Sequence, residues 1–363
     1  MPTNDRLQRL RQVMASDHLD ALLVTHLPNV MYLSGFTGSN GALLVLSDQA
    51  HLFTDGRYTV QAGQETQDSG VRVHIGRKAV TVEAAGLTRK RAGRGRLRLG
   101  IDPAHLSYAE WERLKTGLGR SAACKSLPGL VEGLREIKSD DELEIMRQAA
   151  KLGSQVMEEV IGLVKPGISE LDLAAEADYR MRRNGASGPS FDTIVASGVR
   201  SALPHARPTE KRVGKNELVV IDLGVILRHY CSDLTRTVYV GKAPPKVRKW
   251  YQAVLEAKQA ALQAVRPGQT AGNIDRAARR VLERHGLGRY FTHNTGHGLG
   301  TEVHEGPRLG RGQKQEIRVG HVVTLEPGIY IEGVGGIRIE DDVAVHASGP
   351  EVLTSASTGL LEL

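Results

Sequence analysis

Cysteine is nearly absent from this chain of 363 residues, which contains only Cys124 and Cys231. We predict that the two lie in different domains, so a disulfide framework is excluded and a reducing compartment is favoured. The chain also lacks the run of ~18–20 apolar residues that a membrane-spanning helix needs. Its charged N-terminal segment has no apolar stretch of the signal-peptide kind. We therefore expect a cytoplasmic protein without membrane contact.

Aromatic residues are also scarce, at 4% of the chain, although the net charge is +7. The densest basic segment, residues 89–98, contains no aromatic side chain that could stack on a base, and no nucleic-acid-binding motif surrounds it. We predict a solvated loop followed by an edge strand here, and no nucleic-acid partner. The 40% hydrophobic and 25% charged residues are typical of a globular protein.

The length favours two domains. In residues 1–134 short apolar runs alternate with helical patterns, and ALLVT, ALLVLS and AHLFTD are predicted strands. We expect a small α/β domain there. Ser139 followed by Glu142 is a capping box that begins a helix, so residues 135–363 are predicted to form the second domain.

The second domain contains a faint internal repeat. A helix ending at the KPG of 165–167 precedes a helix over 171–183, and a helix ending at the RPG of 266–268 precedes another over 274–283. The segment VVIDLGVILRHYCSDLTRTVYV matches VVTLEPGIYIEGVGGIRIEDDVAV in plan, because each reads as strand, turn and returning strand with one acid on each strand. Two such halves about a pseudo-twofold axis would bring four acids together.

Five polar residues stand where short apolar runs meet turn-forming stretches. Four converging carboxylates need a cation to offset the desolvation of their charges. Carboxylates with one imidazole suit two divalent ions that activate water and polarise a carbonyl, with Mn²⁺ favoured and Co²⁺ or Zn²⁺ as alternatives. The predicted metal ligands are Asp222, Asp233, His297, Glu326 and Glu340.

Three further histidines, His205, His293 and His304, lie in motif-like segments and could donate to an oxyanion or orient a substrate. Strand alternation places Arg338 and Glu340 on one face, and Arg338 could offset negative charge or clamp a substrate carboxylate. Asp341 and Asp342 are expected to cap the strand end or face solvent.

These motifs resemble those of the pita-bread metallopeptidases, specifically the Xaa-Pro peptidases prolidase and aminopeptidase P. In the second domain the resemblance covers ASGVRSALPHARPTEK, VVIDLG, SDLTRTVYV, NTGHGLGTEVHEGP, TLEPGIYI and GGIRIEDD. In the first domain NVMYLSGFTGSNGALLV and LFTDGRYT are similar to the creatinase-type N-terminal domain. The resemblance implies an α+β pita-bread fold, a pseudo-twofold antiparallel sheet with helices outside, after a smaller α/β domain.

The resemblance also implies roles for the residues. Asp222 would bind one cation, Asp233 and Glu340 would bridge both, and His297 with Glu326 would hold the other. Glu326 would also shuttle a proton. Nearer the substrate, His205 and His304 would contact the scissile carbonyl or adjacent groups, while His293 and Arg338 would line the proline side.

The resulting expectation is a homodimeric exopeptidase acting on proline-containing dipeptides or peptides, with a dipeptidase slightly favoured over aminopeptidase P. Methionine aminopeptidase shares the fold and ligand set, but the additional N-terminal domain counts against it. Creatinase, a relative without metal, is disfavoured by the five intact ligands. A non-catalytic pita-bread binding module is the alternative from another class, although such modules typically lose ligands.

Overall fold

The computed structural model describes residues 3–363, and the chain divides into two compact units, the first ending at Arg135 and the second beginning at Glu136. Among the described residues, every helix is too short or too polar to cross a membrane. Each unit has its own apolar clusters.

The first unit is a six-stranded mixed sheet with helices, in the order β4-β3-β2-β1-β5-β6. The three predicted strands are confirmed as β1, β2 and β3. The strands are β1 (Ala21–Val24), β2 (Ala42–Leu46), β3 (Ala50–Asp55), β4 (Val71–Gly76), β5 (Leu97–Ile101) and β6 (Ala122–Ser126). The helices are α1 (Thr3–Ser16), α2 (Leu27–Ser34), α3 (Thr59–Glu65), α4 (Val80–Ala92), α5 (Tyr108–Leu118) and α6 (Glu132–Arg135).

The prediction for residues 89–98 was wrong in two respects. The first basic residues belong to the last turn of α4 rather than to a loop. β5 is an internal strand, paired in parallel with β1 on one side and β6 on the other. Leu99 and Ile101 are buried in the apolar cluster of the sheet, and this burial outweighs the surface charge of the neighbouring arginines.

The second unit places four long helices beside short antiparallel sheets. Its helices are α7 (Asp140–Ile161), α8 (Glu170–Arg183), α9 (Pro245–Ala264) and α10 (Ala271–Arg284). Its strands are β7 (Gly188–Pro189), β8 (Ile194–Ser197), β9 (Glu217–Leu223), β10 (Val225–Leu227), β11 (Tyr230–Cys231), β12 (Leu234–Val240), β13 (Gly296–Gly298), β14 (Glu305–Leu309), β15 (Val322–Leu325), β16 (Gly328–Ile331), β17 (Gly335–Arg338), β18 (Asp341–His346) and β19 (Gly349–Val352).

The internal repeat is visible in the strand pairing. In the first half β9 pairs with β12 and the short β10 pairs with β11. In the second half β15 pairs with β18 and β16 pairs with β17. Each half packs its own helix pair, α7 with α8 and α9 with α10, against its own apolar cluster. The predicted duplication of helix pair and hairpin is therefore present in the structure.

Candidate metal centre

Two antiparallel strand pairs carry the four acids. In the pair of β9 and β12, Asp222 lies near the end of β9 opposite Thr235, and Asp233 precedes the first residue of β12. In the equivalent pair, Glu326 follows the last residue of β15 and Glu340 precedes the first residue of β18. The repeat thus puts two carboxylates at corresponding ends of both hairpins.

His297 lies in β13 between two glycines that allow a close backbone approach. A Cβ atom on Gly296 would lie 1.9 Å from the Thr324 carbonyl oxygen, and one on Gly298 would lie 1.9 Å from the Gly306 carbonyl oxygen. No side chain larger than hydrogen fits at either position. The glycines therefore seat the histidine deep between neighbouring strands.

The structure brings all five predicted ligands to one cavity of ≈ 240 Å³. The Nε2 atom of His297 lies 3.7 Å from Asp233 Oδ2 and 3.7 Å from Glu326 Oε1. Donor atoms of Asp233, His297 and Glu340 all lie within 4.8 Å of one another. On the other side, Asp222 reaches the same cavity and pairs with the Arg338 guanidinium.

The electrostatics of this cavity fit a cation. Among residues 3–363, Asp222 and Asp233 each bury an Oδ1 atom without a hydrogen-bond partner. Burial, followed by the charges of Glu340 and Asp222, raises the pKa of Asp233 well above its ordinary value. Burial likewise raises the pKa of Glu326 to about 8 and that of Glu340 well above normal. Divalent ions would remove both the unmet hydrogen bonding and the mutual repulsion.

His297 is held in the form that a metal ligand requires. Its Nδ1 atom lies 2.9 Å from the Gly298 carbonyl oxygen, so Nδ1 carries the proton and Nε2 faces the carboxylates with its lone pair. Burial lowers the pKa of His297 to about 4, which keeps the imidazole neutral at physiological pH.

Neighbouring side chains hold the ligands in place. The Thr235 hydroxyl donates to Glu340 Oε2 at 2.6 Å and accepts from Arg338 Nε at 3.0 Å. Arg338 also donates to the Tyr330 hydroxyl at 2.7 Å. Its guanidinium further forms an ion pair with Asp222 and a hydrogen bond to the Pro204 carbonyl oxygen. The guanidinium therefore acts as a buried counter-ion, and its contact with substrate stays a prediction.

A larger cavity of ≈ 420 Å³ adjoins the ligands and contains the three further histidines. His205 and His304 are exposed within it, and the ring of His304 packs edge-on against His297 at 4.4 Å between centroids. His293 is less exposed than these two histidines, and its Nε2 atom lies 2.9 Å from the Tyr330 hydroxyl. Burial, and next the charge of Arg338, lower the pKa of His293 to about 4. All three histidines thus lie beside the ligands, where their ring nitrogens can donate or accept hydrogen bonds.

The sequence reasoning missed two residues in or next to this cavity. Arg308 lines it with an exposed side chain. With the Asn294 amide oriented so that its oxygen faces Arg308, Nε and Nη2 lie 2.6 and 2.9 Å from that oxygen. Tyr330 was missed as well, although it bridges His293 and Arg338. The alternation of β14 and β16 could have placed both near the site, but neither lies in a metal-ligand pattern.

The prediction that Asp341 and Asp342 cap a strand or face solvent was wrong. Both are buried. Asp341 pairs with Arg236 and Lys258 in the interior. Asp342 accepts a hydrogen bond from the backbone N–H of Asp233 at 3.0 Å, which fixes the loop that presents this ligand. The expectation failed because both faces of β18 are covered.

Comparisons with known proteins identify the family of the chain. A sequence profile described as metallopeptidase family M24 matches residues 144–347, more than half of the chain. The chain belongs to this family. The creatinase/prolidase N-terminal domain matches residues 6–137. An uncharacterized peptidase of Bacillus subtilis is 37% identical over 99% of this chain and 100% of its own length, and the Xaa-Pro dipeptidase of Pyrococcus horikoshii is 35% identical over 99% of both.

Solved structures lead to the same family. An Xaa-Pro dipeptidase from Bacillus anthracis superposes with a TM-score of 0.93 at 35% identity, covering 99% of this chain and 100% of the other. An X-Pro aminopeptidase from Thermotoga maritima superposes with a TM-score of 0.89 at 33% identity, covering 98% and 100%. The M24 chain is thus a metal-dependent peptidase with a creatinase-type first domain and a pita-bread second domain, as predicted.

Proposed function

We propose that this M24 peptidase is a dinuclear exopeptidase that cleaves the bond between an N-terminal residue and proline, with Xaa-Pro dipeptides as preferred substrates. The observation that carries the proposal is the adjacency of the five-donor centre to a cavity lined by three histidines and Arg308. A volume of ≈ 420 Å³ lies within the roughly 300–1,000 Å³ of small-ligand sites. Full-length similarity to Xaa-Pro dipeptidases supports the same substrate class.

Five side chains that line the smaller cavity would hold the ions: Asp222, Asp233, His297, Glu326 and Glu340. When bound, a pair of divalent ions lowers the pKa of coordinated water and polarises the scissile carbonyl. Because four of the five ligands are carboxylates, we propose Mn²⁺ as the preferred metal.

Glu326 is the proposed proton carrier. Water adds its oxygen to the scissile carbonyl carbon, and the proton that it loses passes to the Glu326 carboxylate. As the carbon–nitrogen bond breaks, that proton passes to the proline nitrogen, which leaves as a secondary amine. In the ion-free site burial raises the pKa of Glu326 to about 8. With ions bound this carboxyl would be ionised, so it could accept the proton from water and then release it to the proline nitrogen.

The cavity walls would orient the peptide. His205 and His304 are exposed in both cavities, where they can donate to the oxygen of the tetrahedral intermediate. Arg308 presents an exposed guanidinium in the larger cavity with the neutral Asn294 amide as its partner, whereas Arg338 is buried and already paired with a carboxylate. A dipeptide bound across the centre has its free carboxylate one residue beyond the scissile bond, and we propose that Arg308 pairs with it. This pairing favours a dipeptidase over an aminopeptidase.

The test is hydrolysis of Ala-Pro, Ala-Pro-Ala and Met-Ala by protein stripped with a chelator and then reloaded with Mn²⁺. We expect reloaded protein to cleave Ala-Pro fastest and stripped protein to be inactive. The Glu326→Gln variant, purified in parallel, controls for contaminating peptidases. Preference for Ala-Pro-Ala would instead identify an aminopeptidase P, and preference for Met-Ala a methionine aminopeptidase.

Inactivity of the reloaded protein toward all three peptides would overturn the enzymatic proposal and favour a binding module. The same preparation tests the proposed homodimer, because its mass in solution distinguishes one chain from two.

A further inference from the structure

A second group of metal-binding side chains lies in the first unit, far along the sequence from the five ligands. His26 directly precedes α2, His105 ends a short 3₁₀ turn after β5, and Glu132 begins α6. β1 and β5 are neighbouring parallel strands, so their carboxyl ends meet at the same edge of the sheet. The chain segments that leave this edge carry the two histidines, and α6 brings the carboxylate to them.

The donor atoms are spaced like the ligands of one ion. His26 Nδ1 and His105 Nε2 lie 3.5 and 3.3 Å from Glu132 Oε1, and the three donor atoms lie within 4.8 Å of one another. Two donors bound to one zinc ion at ~2.0–2.1 Å in a tetrahedron are ~3.3–3.4 Å apart. The two histidine–carboxylate separations are close to that edge length.

The surroundings provide both orientation and access. Asn29, itself buried, donates to Glu132 Oε1 at 2.6 Å and accepts from Arg135 Nη1 at 2.6 Å. Such a buried partner fixes the carboxylate, as expected behind a metal ligand. A cavity of ≈ 10 Å³, about the size of one water molecule, adjoins His26 and Glu132. The three side chains are 18%, 30% and 28% exposed, so solvent can supply a fourth ligand.

The side chains are also in a suitable state. Burial would raise the pKa of Glu132, but hydrogen bonds from His26 and Asn29 lower it to about 2, so the carboxylate is ionised. The two imidazoles lie almost parallel with centroids 3.7 Å apart. One nitrogen of each ring already faces the carboxylate, and the rings would have to splay apart for both lone pairs to reach one ion.

We propose that His26, His105 and Glu132 bind one divalent transition-metal ion of the zinc class, with water as the fourth ligand. Two imidazoles and one carboxylate favour zinc over manganese, whereas the centre in the second unit offers one imidazole and four carboxylates. The two sites should therefore differ in metal preference. An ion here would tie the ends of β1 and β5 to α6, the last helix of the first unit.

The test counts metal in the full-length protein. The protein is saturated with Mn²⁺, freed of excess ion, and its metal content per chain is measured. Zn²⁺ is then added at one to four equivalents, and manganese plus zinc are measured together after desalting. Zinc that merely displaces manganese leaves this total unchanged. We expect the total to rise by one ion per chain in the wild type, and not to rise when Mn²⁺ is added instead.

Two variants locate the additional ion. In His105→Ala, and in Glu132→Gln, the total should not rise. His18→Asn removes an exposed histidine of the same unit, uses a residue that tolerates the positive φ of 58° there, and should behave as the wild type. Should His105→Ala fail to fold by circular dichroism, His105→Gln replaces it. An unchanged total in the wild type overturns the proposal, and so does an equal rise in a folded His105 variant.

Discussion

Removal of metal should make the second unit less stable as the pH rises above neutrality. In the ion-free site burial raises the pKa of Glu326 from 4.5 to about 8. Between these values the folded chain keeps a proton that the unfolded chain has released. The free energy of unfolding of ion-free protein must therefore fall as the pH rises through this range.

Two buried histidines have the opposite effect, mainly at lower pH. Burial lowers the pKa of His293 and His297 from 6.5 to about 4, so their contribution increases with pH and becomes nearly constant above about pH 7.5. Between pH 6.5 and 8 each histidine restores only about 0.4 kcal/mol, less than the loss that each acid causes. Over these ~1.5 pH units one fully buried acid would lower the free energy of unfolding by about 2 kcal/mol. The Glu326 side chain is 20% exposed, which reduces its share of the loss to about 1.5 kcal/mol. The raised pKa values of Asp233 and Glu340 act in the same direction.

Urea unfolding at pH 6.5 and 8 measures this loss. Trp250 lies in α9 of the second unit and Trp111 in α5 of the first, so Trp250 fluorescence in a Trp111→Phe background reports the second unit alone. We expect the chelator-treated protein to lose at least about 1.5 kcal/mol between the two pH values. In Mn²⁺-loaded protein the ligands are ionised at both values, and the loss should disappear.

Glu326→Gln provides the control, because glutamine carries no titrating proton. Its ion-free form should lose about 1.5 kcal/mol less than the ion-free wild type over the same interval. An ion-free wild type whose stability is constant or increases from pH 6.5 to 8 would refute the reasoning. So would a variant with the same pH dependence as the wild type.

Three substitutions test the proposed roles in catalysis. Glu326→Gln should lower kcat for Ala-Pro by at least ~100-fold while the circular dichroism spectrum is kept, since the proton carrier is lost; turnover near that of the wild type would remove the role. Arg308→Ala should lower kcat/KM for Ala-Pro by roughly 10–100-fold and for Ala-Pro-Ala much less, because a charge-assisted pair is lost; equal losses would exclude the carboxylate contact, and Arg308→Lys should retain part of the rate. Thr235→Val should weaken Mn²⁺ binding by ~10–100-fold in calorimetry, because the hydroxyl that orients Glu340 is removed; Thr235→Ser keeps that hydroxyl, and equal weakening in both variants would contradict the argument.

The acids and the repeat were predictable because they follow from local patterns. Each acid ends or begins a strand whose apolar residues identify it, and the repeat supplies a second copy of the same plan. The alternation that put Ile337 on one face and Arg338 on the other is present, since Ile337 lies in an apolar cluster and Arg338 lines the metal cavity. Where one face of a strand is apolar and the other polar, the two-residue periodicity of the sequence is sufficient to predict which side chains share a face.

What could not be predicted depends on contacts distant in sequence. Asp341 is buried because Arg236, 105 residues earlier, and Lys258, 83 residues earlier, neutralise it. Neither partner is close to Asp341 in the sequence, so local patterning assigned the residue to the strand end or to solvent. The cluster of His26, His105 and Glu132 was missed for the same reason, because three segments contribute one donor each.

The charge balance of the interior explains why a duplicated hairpin needs ions. Duplication places four carboxylates together, and Asp341 and Asp342 follow directly in the chain. Three buried basic side chains offset part of this charge, but two of them, Arg236 and Lys258, contact Asp341, and only Arg338 faces the ligands. The acids nearest the cavity are therefore undercompensated, and their pKa values rise until protons or cations neutralise them. Additional arginines could also neutralise these acids, but their side chains would fill the space that substrate requires. Two divalent ions would neutralise the charge and also supply the reactive chemistry.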